Sequence, residues 1–153
     1  MERDVAGIIA PEADQFEDGA ARKHVLSFLV IDDDQAQRMV MSKVGSKVGY
    51  AVTAVATVDD AIREIEQQQF HCIVLDLFLK GQNGMLMLGE IAKHNSDALL
   101  IIISGASSAV REETLKLATH FQLDVVDLPK PVDLAALRTL LQTHLDIAQP
   151  PCL

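Results

Sequence analysis

The chain lacks an apolar stretch long enough to cross a bilayer. Its longest uninterrupted apolar run, from Ala98 to Ile103, falls far short of the roughly 20 residues that a transmembrane helix needs. The first residues, Met1 to Asp4, also lack the basic start and the apolar core of a secretion signal. We therefore expect a cytoplasmic protein that makes no contact with a membrane.

Basic residues and cysteines are both scarce. The 13 Lys and Arg residues are outnumbered by 22 Asp and Glu, which gives a net charge of -9. This excess argues against direct binding of nucleic acid, because contacts with phosphate need a basic surface. The two cysteines, Cys72 and Cys152, lie in an apolar run and near the chain end, and we expect no disulfide between them in a reducing compartment.

The organisation of the chain indicates one folded domain between two tails. The 153 residues suffice for one domain with a sizeable core. Residues 1–24 are acidic and show no sustained periodicity, so we predict a flexible N-terminal tail. Its apolar patch from Val5 to Ala10 could still dock on the domain or pair as a strand. We assign residues 25–146 to the domain and residues 147–153 to a C-terminal tail.

Five apolar runs alternate with about five amphipathic segments. Runs such as Phe28 to Ile31 and Cys72 to Leu75 are typical of strands that are buried on both faces of a parallel sheet. Thr57 and Asp133 are suitable N-caps for two of the helices. This alternation predicts an α/β fold, a doubly wound five-stranded parallel sheet covered by helices on both faces.

Acidic residues follow two of the predicted strands. Asp32 and Asp33 close the first apolar run, and Asp76 closes the third. With the strand order 2-1-3-4-5, these two strands are neighbours, and their carboxyl ends meet at the point where ligands bind in such sheets. Three carboxylates at this point repel one another, so we predict that they hold a hard divalent cation, with Mg²⁺ as the best candidate.

A hydroxyl group and an ammonium group follow the last two strands. Ser104 closes the fourth apolar run, and Lys130 comes shortly after the fifth. A carboxylate such as that of Asp76 can attack phosphorus to give an acyl phosphate, while a metal ion and an ammonium group offset charge on the phosphoryl oxygens. Each residue alone also fits an ordinary helix cap, turn or surface loop. Their joint placement favours a phosphoacceptor site.

These motifs and their spacing resemble the receiver domain of two-component response regulators, which has the CheY-like, flavodoxin-like fold. The matching stretches are Phe28 to Asp33, Val74 to Leu77, Gly84, Ile103 to Gly105, and Lys130-Pro131. The resemblance implies that Asp76 is the phosphorylated residue. It also implies that Asp32 and Asp33 hold Mg²⁺ and that the backbone carbonyl of Phe78 completes the metal site. Ser104 would then be the switch hydroxyl, and Lys130 would pair with the phosphoryl group.

The function implied by this resemblance is signalling rather than turnover of a substrate. Asp76 would receive its phosphoryl group from a histidine kinase or a histidine phosphotransfer protein, with Mg-dependent self-phosphorylation and autodephosphorylation. The output would be a protein–protein contact with a downstream partner that the sequence does not identify. A weaker likeness of residues 104–130 to receivers attached to EAL-type phosphodiesterases suggests cyclic-di-GMP signalling. The sequence also leaves open whether the chain forms a homodimer.

Two positions depart from the usual receiver pattern. Lys80 stands where proline is usual, and Asp127 stands where an aromatic residue is common, three residues before the lysine. Because burial of a carboxylate is unfavourable, we expect Asp127 to stay at the surface. We expect phosphorylation to be transmitted instead through residues 106–110.

Three other functions compete with the stand-alone receiver. The chain could be a receiver fragment of a longer regulator whose output domain is missing, or a pseudo-receiver that binds partners without phosphorylation. A phosphatase of the haloacid dehalogenase type would need a second aspartate two residues after the nucleophile, where this chain has Phe78. The complete set of site residues argues against the pseudo-receiver, and Phe78 argues against the phosphatase. The sequence leaves the fragment of a longer regulator open.

Overall fold

The computed structural model describes residues 8–9, 25–79, 82–105 and 108–149 of the chain. Strands and helices alternate through most of this range, which confirms the predicted α/β fold. No helix in these ranges is both long enough and apolar enough to cross a membrane. The elements in chain order are β1 Ile8–Ile9, β2 Ser27–Ile31, α1 Gln35–Val48, β3 Ala51–Val55, α2 Val58–Gln67, β4 Cys72–Asp76, β5 Phe78–Leu79, β6 Gln82–Asn83, α3 Leu86–His94, β7 Leu99–Ser104, α4 Ser108–His120, β8 Asp124–Pro129 and α5 Leu134–Ala148.

The main sheet contains the five predicted parallel strands in the predicted order. They run β3-β2-β4-β7-β8, which is the order 2-1-3-4-5. β2 lies between β3 and β4, with Phe28 opposite Val52 on one side and Cys72 on the other. The sheet also has a sixth strand, β1, which pairs antiparallel with the outer edge of β3. Two residues of the apolar N-terminal patch therefore do form a strand.

The remaining differences from the prediction lie in short segments and at the chain ends. β5 and β6 form a small antiparallel hairpin directly after β4, which the sequence did not indicate. α5 continues to Ala148, so the first two residues of the predicted tail 147–153 are helical. Apart from β1, the predicted N-terminal tail lies outside the described residues, as do Lys80, residues 106–107 and residues 150–153. The predicted division into tail, domain and tail stays a prediction.

Two hydrophobic layers hold the sheet between its helices. Phe28, Val74 and Ile101 pack with Leu137 and Leu141 of α5 on one face. The opposite face packs against α2, α3 and α4. Each large apolar side chain buried in this way contributes about 1.5–3 kcal/mol. Because β2, β4 and β7 are covered on both faces, their backbones are rigid, and so is the edge at which they end.

The predicted caps start the helices at defined residues. The Thr57 hydroxyl oxygen accepts a hydrogen bond from the Asp60 N–H at 3.1 Å. An Asp133 carboxylate oxygen accepts from the N–H groups of Ala135 and Ala136 at 3.0 and 3.2 Å. Such caps satisfy backbone donors that a helix leaves unpaired. The cap at Asp133 fixes the start of α5 three residues after Lys130.

A histidine joins β2 to β4 at the amino ends of these strands. The backbone N–H of Ser27 donates to the ring nitrogen Nδ1 of His71 at 3.0 Å, and the backbone N–H of His71 donates to the Ser27 carbonyl at 2.9 Å. Burial lowers the pKa of His71, and the nearby His144 acts in the same direction. The ring therefore favours its neutral form, with Nδ1 as the acceptor.

We predict that stability falls on acidification because of His71. Its pKa is lower in the folded chain than in the unfolded chain, so the unfolded chain takes up the extra proton as the pH falls through about 6.5. Urea unfolding at pH 8 and pH 5.5 should show a smaller loss of stability for His71→Asn, whose amide oxygen can accept from Ser27 but does not titrate. His120→Asn, at an exposed position, is the control. An unchanged pH slope in His71→Asn would contradict this assignment.

Candidate functional site

The side chains singled out in the sequence meet at the carboxyl edge of the main sheet. Asp32 follows the last residue of β2, and Asp76 is the last residue of β4. Ser104 ends β7, and Lys130 follows the end of β8. The strand register sets Asp76 opposite Ile103 and Ser104 opposite Pro129. The parallel sheet thus brings the predicted residues to one edge.

Three carboxylates form the centre of this site. Carboxylate oxygens of Asp32, Asp33 and Asp76 all lie within 4.8 Å of one another. Asp32 and Asp76 are almost fully buried, at 1% and 2% exposure. Burial raises the pKa of Asp32 to about 6; Asp76 and Asp33 also raise it, whereas the Asp34 N–H and Lys130 lower it. A cation near these groups would relieve both the burial cost and the mutual repulsion.

The Asp76 carboxylate is held through both of its oxygens. Lys130 Nζ lies 3.0 Å from Oδ2, and the Phe78 N–H donates to Oδ1 at 3.0 Å. The Lys130 side chain is 39% exposed, whereas that of Asp76 is 2% exposed. This arrangement orients Asp76 and places a positive charge beside it.

The Asp32 carboxylate is bonded on one side only. Oδ1 accepts a hydrogen bond from the Asp34 N–H at 2.9 Å. Oδ2 is buried and has no hydrogen-bond partner within the described residues. Buried polar atoms are normally satisfied, and a divalent cation would satisfy this one. The unsatisfied oxygen therefore supports a cation site at the three carboxylates.

Arg38 supports the same loop, a contact that the sequence analysis missed. Its Nη1 donates to the Asp32 backbone carbonyl at 2.7 Å. The bond fixes the turn between β2 and α1 and leaves the Asp32 side chain directed at the site. Position in the first turn of α1 was the only sequence signal, and an arginine there is more often a solvated surface residue.

Backbone hydrogen bonds tie together the loops that carry the site. The Leu77 N–H donates to the Ile103 carbonyl at 3.1 Å, and the Lys130 N–H donates to the Ser104 carbonyl at 3.3 Å. Ser104 itself is buried, at 1% exposure. The backbone N–H of Phe78 donates to Asp76, and the Phe78 side chain is exposed. The role of the Phe78 carbonyl as a metal ligand stays a prediction.

An open groove leads from solvent to these side chains. Its volume is about 470 Å³. The lining combines acidic and basic residues of the site with the start of α1 and the segment before α5, namely Asp32, Asp34, Gln37, Lys130, Pro131 and Val132.

Gly84 is required by the close packing behind Asp76. Its N–H donates to the Leu77 carbonyl at 2.9 Å. A Cβ atom at this position would lie 2.9 Å from the Asp76 backbone oxygen and 3.0 Å from Leu77 Cα. Both neighbours are backbone atoms that cannot move without displacing the end of β4. The spacing of this glycine from Asp76 is therefore a packing constraint on the site.

Comparison with known proteins identifies the family. The sequence pattern of the response regulator receiver domain matches residues 28–142, which include the whole of the site described above. The chain belongs to this family. The weaker likeness to receivers of EAL-type phosphodiesterases stays a prediction.

Individual relatives and structures agree with this assignment. The DNA-binding transcriptional regulator NtrC of Azospirillum brasilense is 26% identical over 125 residues, which are 82% of this chain but 25% of that protein. A CheY-like receiver domain from Methanospirillum hungatei JF-1 has a TM-score of 0.71 at 23% identity, covering 81% of this chain and 96% of that one. A Burkholderia pseudomallei response regulator, solved with a phosphorylated aspartic acid, a calcium ion and citrate, has a TM-score of 0.65 at 23% identity and covers 84% and 77%. These structural likenesses show the shared fold.

We predict that Gly84→Ala displaces Asp76, because the added methyl group meets the backbone of β4. Overpacking of this kind costs about 1–3 kcal/mol, which chemical unfolding would measure. Gly89→Ala is the matched control: its Cβ would meet only the Phe121 ring at 3.8 Å, an ordinary contact, and alanine favours the helix. Equal stabilities of Gly84→Ala and Gly89→Ala would show that the close approach does not constrain the site.

Proposed function

We propose that this receiver accepts a phosphoryl group on Asp76 from a histidine kinase or a histidine phosphotransfer protein, with Mg²⁺ as the required metal ion. The observation that carries the proposal is the Asp76 carboxylate, buried at 2% exposure between the Lys130 ammonium group and two further carboxylates. A carboxylate needed only for stability would not require two acidic neighbours.

The residues present fit a magnesium site. Asp32, Asp33 and Asp76 offer carboxylate oxygens, and the Phe78 carbonyl is the proposed backbone ligand. Mg²⁺ prefers such hard oxygen ligands and keeps several waters, which suits an open groove. When bound, it supplies positive charge that offsets the carboxylates and the phosphoryl oxygens. The unsatisfied Oδ2 of Asp32 is the atom that most directly calls for this charge.

The proposed transfer forms one bond and breaks one. An oxygen of the Asp76 carboxylate attacks the phosphorus of a phosphohistidine, and an O–P bond forms as the P–N bond of the donor breaks. The donor imidazole keeps the electron pair of that bond and takes up a proton. Lys130 offsets charge on the phosphoryl oxygens, and the Ser104 hydroxyl donates a hydrogen bond to one of them. Later attack by water releases phosphate and restores Asp76.

We propose that the resulting acyl phosphate is a signal rather than an intermediate of substrate turnover. The domain would then act by contact with a downstream protein, for which a component of cyclic-di-GMP signalling is one candidate. A second copy of this chain, which would give a homodimer, is another candidate partner. The chain spans about a quarter of the length of NtrC, so the activity of a whole regulator is not transferred from that relative.

Exposed apolar side chains beside the groove suit a docking partner. Met39 and Val40, in the second turn of α1, are 50% and 40% exposed. Leu134, at the start of α5, is 36% exposed. These side chains lie on the two helices that begin next to the acidic site. We propose this region as the docking surface of the phosphodonor protein.

Asp76→Asn should abolish phosphorylation, because an amide is a poor nucleophile and carries no charge. Incubation with acetyl phosphate and Mg²⁺, followed by mass spectrometry of the intact chain, should show one added phosphoryl group on the wild type and none on the variant. Asp124→Asn, at the exposed start of β8, should be labelled like the wild type. Undiminished label on Asp76→Asn would refute the assignment.

Asp33→Ala should weaken Mg²⁺ binding about tenfold or more, since one carboxylate fewer leaves too few hard ligands. Isothermal titration of the metal-free proteins would measure this. Asp34→Asn is the matched control: it removes a neighbouring charge, while asparagine caps α1 as well as aspartate does. Equal Mg²⁺ affinities of wild type and Asp33→Ala would place the metal elsewhere.

A further inference from the structure

A half-buried ion pair joins α4 to the edge strand β8. Arg111 Nε lies 3.4 Å from Asp127 Oδ2, and the two side chains are 30% and 24% exposed. The expectation that Asp127 stays at the surface is therefore wrong. Val125, two residues earlier on the same strand, packs in the layer that contains Leu115 and Ala118 of α4. Because side chains alternate along a strand, Asp127 points to that same helix-covered face.

The Asp127 carboxylate is only partly satisfied in this position. Its Oδ1 is buried and has no hydrogen-bond partner within the described residues. Arg111 Nε lies 3.4 Å from the other oxygen, longer than a charge-assisted hydrogen bond. With Oδ1 unbonded, the pair lacks the two parallel bonds that a guanidinium group can make with a carboxylate. A pair with one unbonded carboxylate oxygen stabilises its arrangement less than a fully bonded pair does. An arrangement in which water reaches Oδ1 would compete with it.

The ion pair connects the two chain segments that lead to the site. α4 begins at Ser108, four residues after Ser104, and carries Arg111 in its first turn. Asp127 precedes Lys130 by three residues on β8. The path from Ser104 to the start of α4 is four residues long and the path from Lys130 to Asp127 is three, so the ion pair is the nearest contact between α4 and β8 to which a shift of either residue can be passed on.

We propose that Arg111 and Asp127 form a latch that holds α4 against β8 while Asp76 is unphosphorylated and opens when Asp76 is phosphorylated. Only the opening of the latch rests on the proposed phosphorylation; the latch of the unphosphorylated protein does not depend on it. Opening would expose the Asp127 carboxylate to water and free the start of α4. Since coupling between two sites is reciprocal, a latch that opens on phosphorylation must itself oppose phosphorylation.

Amide hydrogen exchange of the unphosphorylated protein tests whether the ion pair holds α4 against β8. Arg111→Met keeps the length of the side chain but removes its charge. The N–H groups of residues 112–116, which donate to the carbonyls of the first turn of α4, should exchange about fivefold faster than in the wild type. Arg111→Lys retains the charge and should exchange like the wild type. Asp60→Asn, which removes the exposed ion pair with Arg63 on α2, is the control for loss of an ion pair elsewhere. Equal exchange in Arg111→Met and wild type would refute the latch, as would Arg111→Lys behaving like Arg111→Met.

The rate at which acetyl phosphate labels Asp76 tests whether the latch opposes phosphorylation. Both Arg111→Met and Asp127→Asn should be labelled about fivefold faster than the wild type, because the open arrangement that receives the phosphoryl group is then more highly populated. A purely structural ion pair would leave the rate unchanged or lower it, and that result would overturn the coupling. If Asp127→Asn does not fold, Arg111→Met carries the test alone. A wild type that is not labelled at all would refute the proposed function, whereas the exchange comparison would still decide on the latch.

Discussion

Repulsion among three carboxylates is the constraint on which the rest of this domain depends. Asp32, Asp33 and Asp76 bring their oxygens within 4.8 Å at the end of a buried sheet, where charges are poorly solvated. Lys130 adds one positive charge against three negative ones. Burial raises the pKa of Asp32 most, and the two acidic neighbours raise it further. The excess negative charge favours the binding of a further cation.

Several features far from the charges hold them together. β4 and β7 are buried along their whole length, which fixes the positions where Asp76 and Ser104 emerge. Gly84 lets the chain pass close behind Asp76, and Arg38 restrains the turn that carries Asp32. The packing energy of the core thus maintains an arrangement that the carboxylates alone would not adopt.

Strong local patterns made the fold and the centre of the site predictable. Uninterrupted apolar runs predicted the buried strands. Asp32, Asp76 and Ser104 come directly after such runs, and Lys130 comes four residues after one. Contacts without a repeating pattern were missed. The apolar patch from Val5 to Ala10 indicated a strand but not its partner, because pairing of the two-residue β1 depends on the free edge of β3. Asn95 is a second example: this polar side chain is fully buried. Its amide donates to the Ile65 carbonyl and its oxygen accepts from the Phe70 N–H, and both partners lie 25 to 30 residues away in the chain.

Asp127 shows why single-residue rules fail at long range. A lone carboxylate does favour the surface, and the sequence alone offered no partner for it. The partner, Arg111, lies 16 residues earlier in the chain and meets Asp127 only after α4 packs on β8. A half-buried position then becomes tolerable, although one oxygen stays unsatisfied within the described residues.

The most direct test of the account compares melting temperatures of wild type and Asp32→Asn with and without Mg²⁺. In metal-free buffer at pH 7.5, the variant should melt about 3 °C higher, because it lacks one of the three repelling charges. Saturating Mg²⁺ should raise the melting temperature of the wild type above that of the variant, since a ligand that binds only the folded state stabilises it. A wild type that already melts higher without metal and does not respond to Mg²⁺ would contradict the claim that uncompensated carboxylates define this site.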